Sequence, residues 1–291
     1  YDGMGRLLAK YSPLAWKEQK GEYSYRYDFL DRLIDTKQPD GSHQRQMRDG
    51  EGNITKQVHP NSYNPDLDDG EGTSYEYDSN GNPIRIHHPD GGCERIFYDG
   101  EGNRIRHILP ESYHKEKDDG EGWIYEYDEA NRLTKIIGPD GTVQSCYQYD
   151  TMGNLVEETD AAGRTSYRKY TAFGEVRELL TPATEENGQM LYQRTTWQYD
   201  SVGNVVCECR HGGYWSKEGR LEKEEGADLK LQFYYDKRNR RIRVEDGLGA
   251  VNRFRYDVQG KLVYEEKRIS EQVSQIVRYG YDRAGRLIEK K

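Results

Sequence analysis

Tyr98-Asp99-Gly100-Glu101-Gly102-Asn103-Arg104-Ile105 decides how this chain is read. Versions of the stretch begin at Tyr1, Tyr27, Tyr77, Tyr127, Tyr149, Tyr199, Tyr235, Tyr256 and Tyr281. Two more, at Arg48-Asp49 and Tyr170-Thr171, have lost half of the Tyr-Asp pair. Twelve copies in 291 residues mean a repeat architecture. Counting the Asp as the first turn residue, the fourth is Gly in nine copies: Gly5, Gly52, Gly81, Gly102, Gly153, Gly174, Gly203, Gly260 and Gly285. Asp31, Asn131 and Asn239 hold that place in the other three. Gly, Asn and Asp tolerate positive φ at least cost. A type I turn favours Asp first and Gly fourth, and the Asp carboxylate can accept a backbone N–H two residues on. A polar residue follows, then an aliphatic one such as Leu7, Leu33, Ile54, Leu155, Val205 or Leu287, which starts the return strand. Each copy therefore reads as a hairpin turn.

The structural turn positions follow copy by copy. They are Tyr27 and Asp28; Tyr77, Asp78 and Gly81; Tyr98, Asp99 and Gly102; and Tyr127 and Asp128. The second half supplies Tyr149, Asp150 and Gly153; Tyr199, Asp200 and Gly203; Tyr235 and Asp236; Tyr256, Asp257 and Gly260; and Tyr281, Asp282 and Gly285.

A second turn signal alternates with the first. Pro39-Asp40-Gly41, Pro89-Asp90-Gly91 and Pro139-Asp140-Gly141 recur every 50 residues, with Pro presetting φ and Gly supplying the left-handed residue. Asp160–Gly163 and Asp246–Gly249 take this role later without the Pro. Between the turns the aromatic residues alternate, as in Tyr23/Tyr25/Tyr27, Tyr75/Tyr77, Tyr125/Tyr127 and Trp197/Tyr199, so the rings share one face of a strand. Short turns at both ends make neighbouring strands antiparallel. The expected fold is all-β, a continuous meander of hairpins with roughly twenty strands or more. At about 4.8 Å per strand the sheet would be on the order of 100 Å wide, and so wide a sheet must curl or split. A curved or spiralling wall over residues 1–291, read as a single repeat region, is favoured. A β-propeller is the alternative, since four strands per 50 residues also suit a blade. Gly- and Glu-rich insertions near 183–190 and 212–228 are expected to be mobile; the second stretches the Asp200-to-Asp236 spacing to 36.

Composition fits thin sheets. Apolar residues make up 33% of the chain, and Tyr outnumbers Phe by 25 to 5. The net charge of −9 is spread along the chain and there is no basic patch, which argues against nucleic acid and anionic membranes as partners. No apolar run approaches membrane-spanning length, so membrane insertion is not expected. The chain opens and closes inside repeats and is read as a fragment of a larger protein. The four cysteines Cys93, Cys146, Cys207 and Cys209 allow three pairings, and sequence does not choose among them.

No copy carries a catalytic constellation. Asp66-Leu67-Asp68-Asp69-Gly70 opens like a calcium loop, but Gly70 stands where an acid belongs, and Lys117 interrupts the second copy, so a solvated turn is the preferred reading. Cys207, Cys209 and His211 would share a strand face, yet a structural zinc site wants a fourth ligand and tighter spacing. The seven histidines sit in no metalloprotease or nucleophile-elbow pattern. The reading therefore assigns no catalytic, cofactor-binding or metal residue, and no enzyme activity. The Tyr ladders are expected to stabilise the sheet; exposed rings could alternatively stack on sugars.

Tyr149-Asp150-Thr151-Met152-Gly153-Asn154-Leu155 and Tyr281-Asp282-Arg283-Ala284-Gly285-Arg286-Leu287 resemble the YD-repeat, or Rhs, family. The resemblance runs along nearly the whole chain. It implies β-hairpins spiralling into a hollow shell around a C-terminal toxin, with related shells in insecticidal toxin complexes and teneurin receptors. The family's terminal Asp-Pro core motif has no match here, so its self-cleaving aspartates are not carried over. What the resemblance implies is a non-catalytic scaffold that encloses a polypeptide payload in a secreted or cell-surface protein. The partners would be the rest of the parent chain and its C-terminal payload domain. A carbohydrate-binding or adhesion module, with glycans as partners, is the rival.

Overall fold

The computed structural model describes residues 1–11, 23–268, 273–282 and 284–291. Arg283, inside the last copy, lies outside them. The described residues hold 26 strands and a single 3-10 turn at Pro60–Ser62. None forms a helix long and apolar enough to cross a membrane. The chain forms two compact units, Tyr1–Gln144 and Ser145–Lys291.

In the first unit the strands from Ala9–Lys10 to Arg104–Ile108 pair antiparallel in chain order. Trp123–Tyr127 then joins Arg104–Ile108, and Leu133–Ile137 joins Trp123–Tyr127. The ribbon Tyr113–His114 with Asp119–Gly120 pairs only with itself. The second unit repeats the meander from Leu155–Asp160 through Leu287–Lys290. Leu221–Lys223 is added at the far end of Val205–Trp215. Within each unit the sheet runs on without breaking into four-stranded blades, so the architecture is the meander and not the propeller.

One turn geometry does nearly all the reversing. In the Tyr98 copy, Gly102 N–H donates to the Asp99 carbonyl at 3.2 Å, and Asp99 N–H donates to the Asn103 carbonyl at 3.0 Å. The register slips by one residue between Phe97 and Tyr98. This is a type I turn closed by a left-handed residue in a bulge. The left-handed residue has φ +87 at Gly102, and Asp31, Asn131 and Asn239 take φ 62, 59 and 58 in its place. The Pro-Asp-Gly turns use the same backbone, with Gln38 rather than an Asp first: Gly41 N–H meets the Gln38 carbonyl at 2.9 Å.

Both insertions expected to be mobile carry strand pairing. Val176–Glu186 and Gln189–Tyr199 form an 11-residue hairpin closed by Asn187 (φ 51) and Gly188 (φ 77). Two successive positive-φ residues make the tight hairpin turn that an Asn-Gly pair favours. In the other insertion, Leu221–Lys223 pairs with Tyr214 and Trp215.

The core is thin. In the first unit it consists of Val58, Cys93, Ile96 and Ile108; in the second, of Leu180, Leu191, Tyr192, Cys207 and Val251. Val58 and Ile108 lie beneath the two long polar loops. A Cβ on Gly120 would come within 1.9 Å of the Ser112 carbonyl oxygen and 3.1 Å of Ile108, so only glycine lets that loop close down.

An added Cβ at Gly102 meets nothing within 4 Å, so the cost of substitution there is backbone strain alone. Gly102→Val should lose about 1–3 kcal/mol in urea unfolding. Gly102→Asn should lose less than half as much, because Asn131 and Asn239 already occupy this geometry. Equal losses for the two variants would show that φ is not the constraint.

Candidate functional site

The repeated side chains converge on the turn carboxylate. Asp99 Oδ1 accepts the N–H groups of Glu101 (3.1 Å) and Asn103 (2.8 Å), and Oδ2 accepts the Asn103 amide at 3.0 Å. Asp28 does the same with Leu30, Arg32 N–H and the Arg32 guanidinium at 2.9, 2.9 and 2.6 Å. The residue four beyond the Asp is Asn at Asn82, Asn154 and Asn204, and Arg at Arg132, Arg240 and Arg286; each ties back to Asp78, Asp150, Asp200, Asp128, Asp236 or Asp282. At Asp257 the carboxylate accepts the Gln259 and Lys261 N–H groups. The side-chain bonds from Asn103, Asn154 and Asn204 hold Asp99, Asp150 and Asp200 below the usual carboxylate range. Arg132 and Arg240 do this for Asp128 and Asp236. Gly81, Gly102, Gly153, Gly203, Gly260 and Gly285 all stand at φ between +82 and +92. Asn103, which the sequence shows only as the polar residue after the turn, is thus half of the clamp.

The Tyr of the motif links one copy to the one before. Hydroxyls of Tyr27, Tyr77, Tyr98 and Tyr127 donate to the carbonyls of Leu7, Ile54, Pro83 and Arg104 at 2.8–3.1 Å. In the second unit Tyr170, Tyr199, Tyr235, Tyr256 and Tyr281 reach Leu155, Val176, Val205, Arg241 and Leu262 at 2.6–2.9 Å. In eight of these nine contacts the acceptor is the first residue of the return strand of an earlier copy, and Leu7 lies two residues before the strand Ala9–Lys10. Tyr149 ends the strand Val143–Tyr149. At these nine positions the contact requires Tyr, since Phe cannot donate.

Sequence reasoning missed one copy. Ser216-Lys217-Glu218-Gly219-Arg220-Leu221 makes the same turn, with Gly219 N–H on the Ser216 carbonyl at 2.9 Å and Gly219 at φ 82. Gly-Arg-Leu was the available signal, masked by Trp-Ser in place of Tyr-Asp. Asp160 and Asp246, read as substitutes for the Pro-Asp-Gly turns, also use the carboxylate clamp.

Among the described residues, three polar clusters outside the repeat bear on the calcium and zinc readings. Asp68 and Asp118, both at positive φ (51 and 50), close the exposed turns expected, and their carboxylates are paired. Asp68 accepts Tyr63 Oη at 2.7 Å and the guanidiniums of Arg26 and Arg45. Asp118 accepts Tyr113 Oη at 2.8 Å, with Arg85 and Arg95. Cationic guanidiniums stand where a calcium ion would need more oxygens. Against the upward push of desolvation, the Tyr63 hydroxyl with Arg45 and Arg26 holds Asp68 well below its ordinary range, and Arg85 with the Tyr113 hydroxyl does so for Asp118. The third cluster joins Cys209 and His211, on one strand, to Asp228. Burial, then Asp228, pushes the Cys209 thiol up. Cys207 is buried on the same strand and stays outside that cluster.

The RHS Repeat family model matches residues 98–143 and 127–165, overlapping segments that hold four of the clamped turns. These are RHS repeats. No curated protein matches the chain in sequence. Among solved structures, the crystal structure of TcdB2-TccC3 superposes over 100% of this chain and 17% of its own, with TM-score 0.61 and 16% identity. TcdB2-TccC3-Cdc42 gives TM-score 0.61 at 16% identity over 93% and 16%. A Tc holotoxin pore of Photorhabdus luminescens gives 0.62 at 17% identity over 100% and 17%. The likeness is one of fold, and the chain spans about a sixth of each of those chains.

Two outcomes test the site. Tyr98→Phe removes one partly buried hydrogen bond and should cost about 1 kcal/mol in urea unfolding; no loss would mean the hydroxyl links nothing. Because the turn carboxylates titrate lower when folded than unfolded, their stabilisation is complete above the unfolded value near pH 4 and is lost as protons bind below it. Tm should therefore hold from pH 7 to about 5 and fall steadily towards pH 2. A level Tm down to pH 3 would contradict the clamps.

Proposed function

We propose that the chain is a length of scaffold wall in a larger exported protein, where it helps to enclose a polypeptide payload. The observation that carries this reading is the additive construction of the repeat. Most copies bring their own turn and their own clamp, and nine tyrosines add a hydroxyl link to an earlier copy, so the sheet lengthens without new chemistry. The fold likeness to structures containing TccC3 and a Tc holotoxin pore supports it. So does the thin core, since a wall between two aqueous spaces has little apolar interior to fill.

The carbohydrate-binding alternative needs open aromatic faces. Several rings here are covered by the chain's own cations: Arg6 lies over Tyr27, Arg104 over Tyr125, Arg240 over Tyr256 and Arg255 over Tyr264, at 4.6–5.3 Å from the ring centres. A sugar would have to displace each one.

Limited proteolysis of the full parent protein tests the reading. Segments beyond the repeats should resist protease while the wall is intact and be cut rapidly once urea opens it. Immediate cleavage of those segments in the native protein would refute enclosure. On a glycan array the chain should show no saturable binding; binding abolished by Tyr125→Ala with the fold preserved would favour the module instead.

A further inference from the structure

We propose that Cys209 Sγ, His211 Nδ1 and Asp228 Oδ2 form a three-ligand site for a divalent transition-metal ion of the zinc class. The ligand atoms lie 3.8 Å (Cys209 to His211), 3.6 Å (Cys209 to Asp228) and 3.2 Å (His211 to Asp228) apart. Tetrahedral zinc with bonds of about 2.3 Å to sulfur, 2.05 Å to nitrogen and 2.0 Å to oxygen would separate those atoms by about 3.6, 3.5 and 3.3 Å. The three atoms thus already mark one face of a zinc tetrahedron, and its fourth corner is left for water or an outside donor.

The surroundings orient each ligand. His211 Nε2 stands 2.8 Å from Thr196 Oγ1. A proton held there for Thr196 leaves Nδ1 with a free lone pair, the arrangement typical of metal-bound histidine. Asp228 Oδ1 accepts the Gly212 N–H at 2.9 Å, which turns Oδ2 towards Cys209 and His211. A Cβ on Gly212 would come within 2.5 Å of the Gly226 carbonyl oxygen, so the loop bearing Asp228 is held tightly against the strand bearing the other two. His211 also meets Trp215 edge to face at 5.6 Å.

On binding, Cys209 gives its thiol proton to solvent, and the thiolate and carboxylate together neutralise the dication. Cys209 and His211 are two apart on a strand, while Asp228 arrives from the far end of the insertion. The ion would therefore fasten that insertion to the sheet. This role is independent of payload enclosure.

Zinc titration of the metal-stripped 291-residue chain against a chromophoric competitor tests the site, with cobalt(II) as a second probe. One zinc per chain should bind at micromolar concentration or tighter. Cobalt should show a thiolate charge-transfer band that Cys209→Ser abolishes and Cys146→Ser keeps. His211→Gln and Asp228→Asn should each weaken zinc by about tenfold or more, and Thr196→Val, which contacts no metal, by about tenfold. Unchanged circular dichroism of the metal-free variants separates lost ligation from lost folding. Should Cys209→Ser fail that control, Thr196→Val and the zinc-induced rise in wild-type Tm decide. Absence of a one-to-one complex at micromolar zinc, or a complex indifferent to Cys209→Ser, overturns the proposal.

Discussion

A carboxylate that must find donors at the tip of a hairpin organises this protein. Asp99 and its counterparts sit where the chain reverses and where the N–H groups of the turn would otherwise face only water. One oxygen gathers two of those N–H groups, and the other takes the side chain four residues on. The turn is thereby fixed from inside, and its fourth residue is driven to positive φ. Everything else follows from this reversal: the one-residue bulge, the antiparallel pairing and the side of the sheet on which the next Tyr emerges.

The clamp fixes a hairpin, and the Tyr hydroxyl joins hairpins. Backbone pairing already connects neighbouring strands, but the hydroxyl reaches past one strand pair to the carbonyl that begins the previous return strand. Nearest-neighbour coupling of this kind is how repeat proteins gain stability in proportion to copy number. It suits a chain with a small buried core, where polar links and cation–aromatic contacts supplement what apolar burial provides.

The turns were legible because their steric demand is local: Gly, Asn or Asp at one position and Asp at another. Strand alternation was legible for the same reason. What escaped were contacts made across the sheet. Ser216 was overlooked because a hydroxyl replaced the expected carboxylate and Trp215 the expected Tyr. Asp68 and Asp118 resembled turn or calcium carboxylates until Arg45 and Arg95, far off in sequence, were seen against them. Cys209 and His211 were visible as neighbours on a strand, but Asp228 joins them only through the course of the insertion. In the first insertion the Asn187-Gly188 pair signals a tight hairpin turn, a signal that the Gly and Glu content obscures.

The most direct measurement is residue-resolved hydrogen exchange on the native chain, at the amides two residues after each turn Asp. In an ordinary hairpin these tip amides have no partner. Here Met4, Leu30, Asn80, Glu101, Ala130, Met152, Val202, Arg238 and Gln259 each donate to a carboxylate. They should exchange well below the random-coil rate, copy after copy, and Asp99→Ala should release Glu101 alone among them. Tip amides exchanging at the random-coil rate beside protected strands would contradict the carboxylate clamp as the organising interaction.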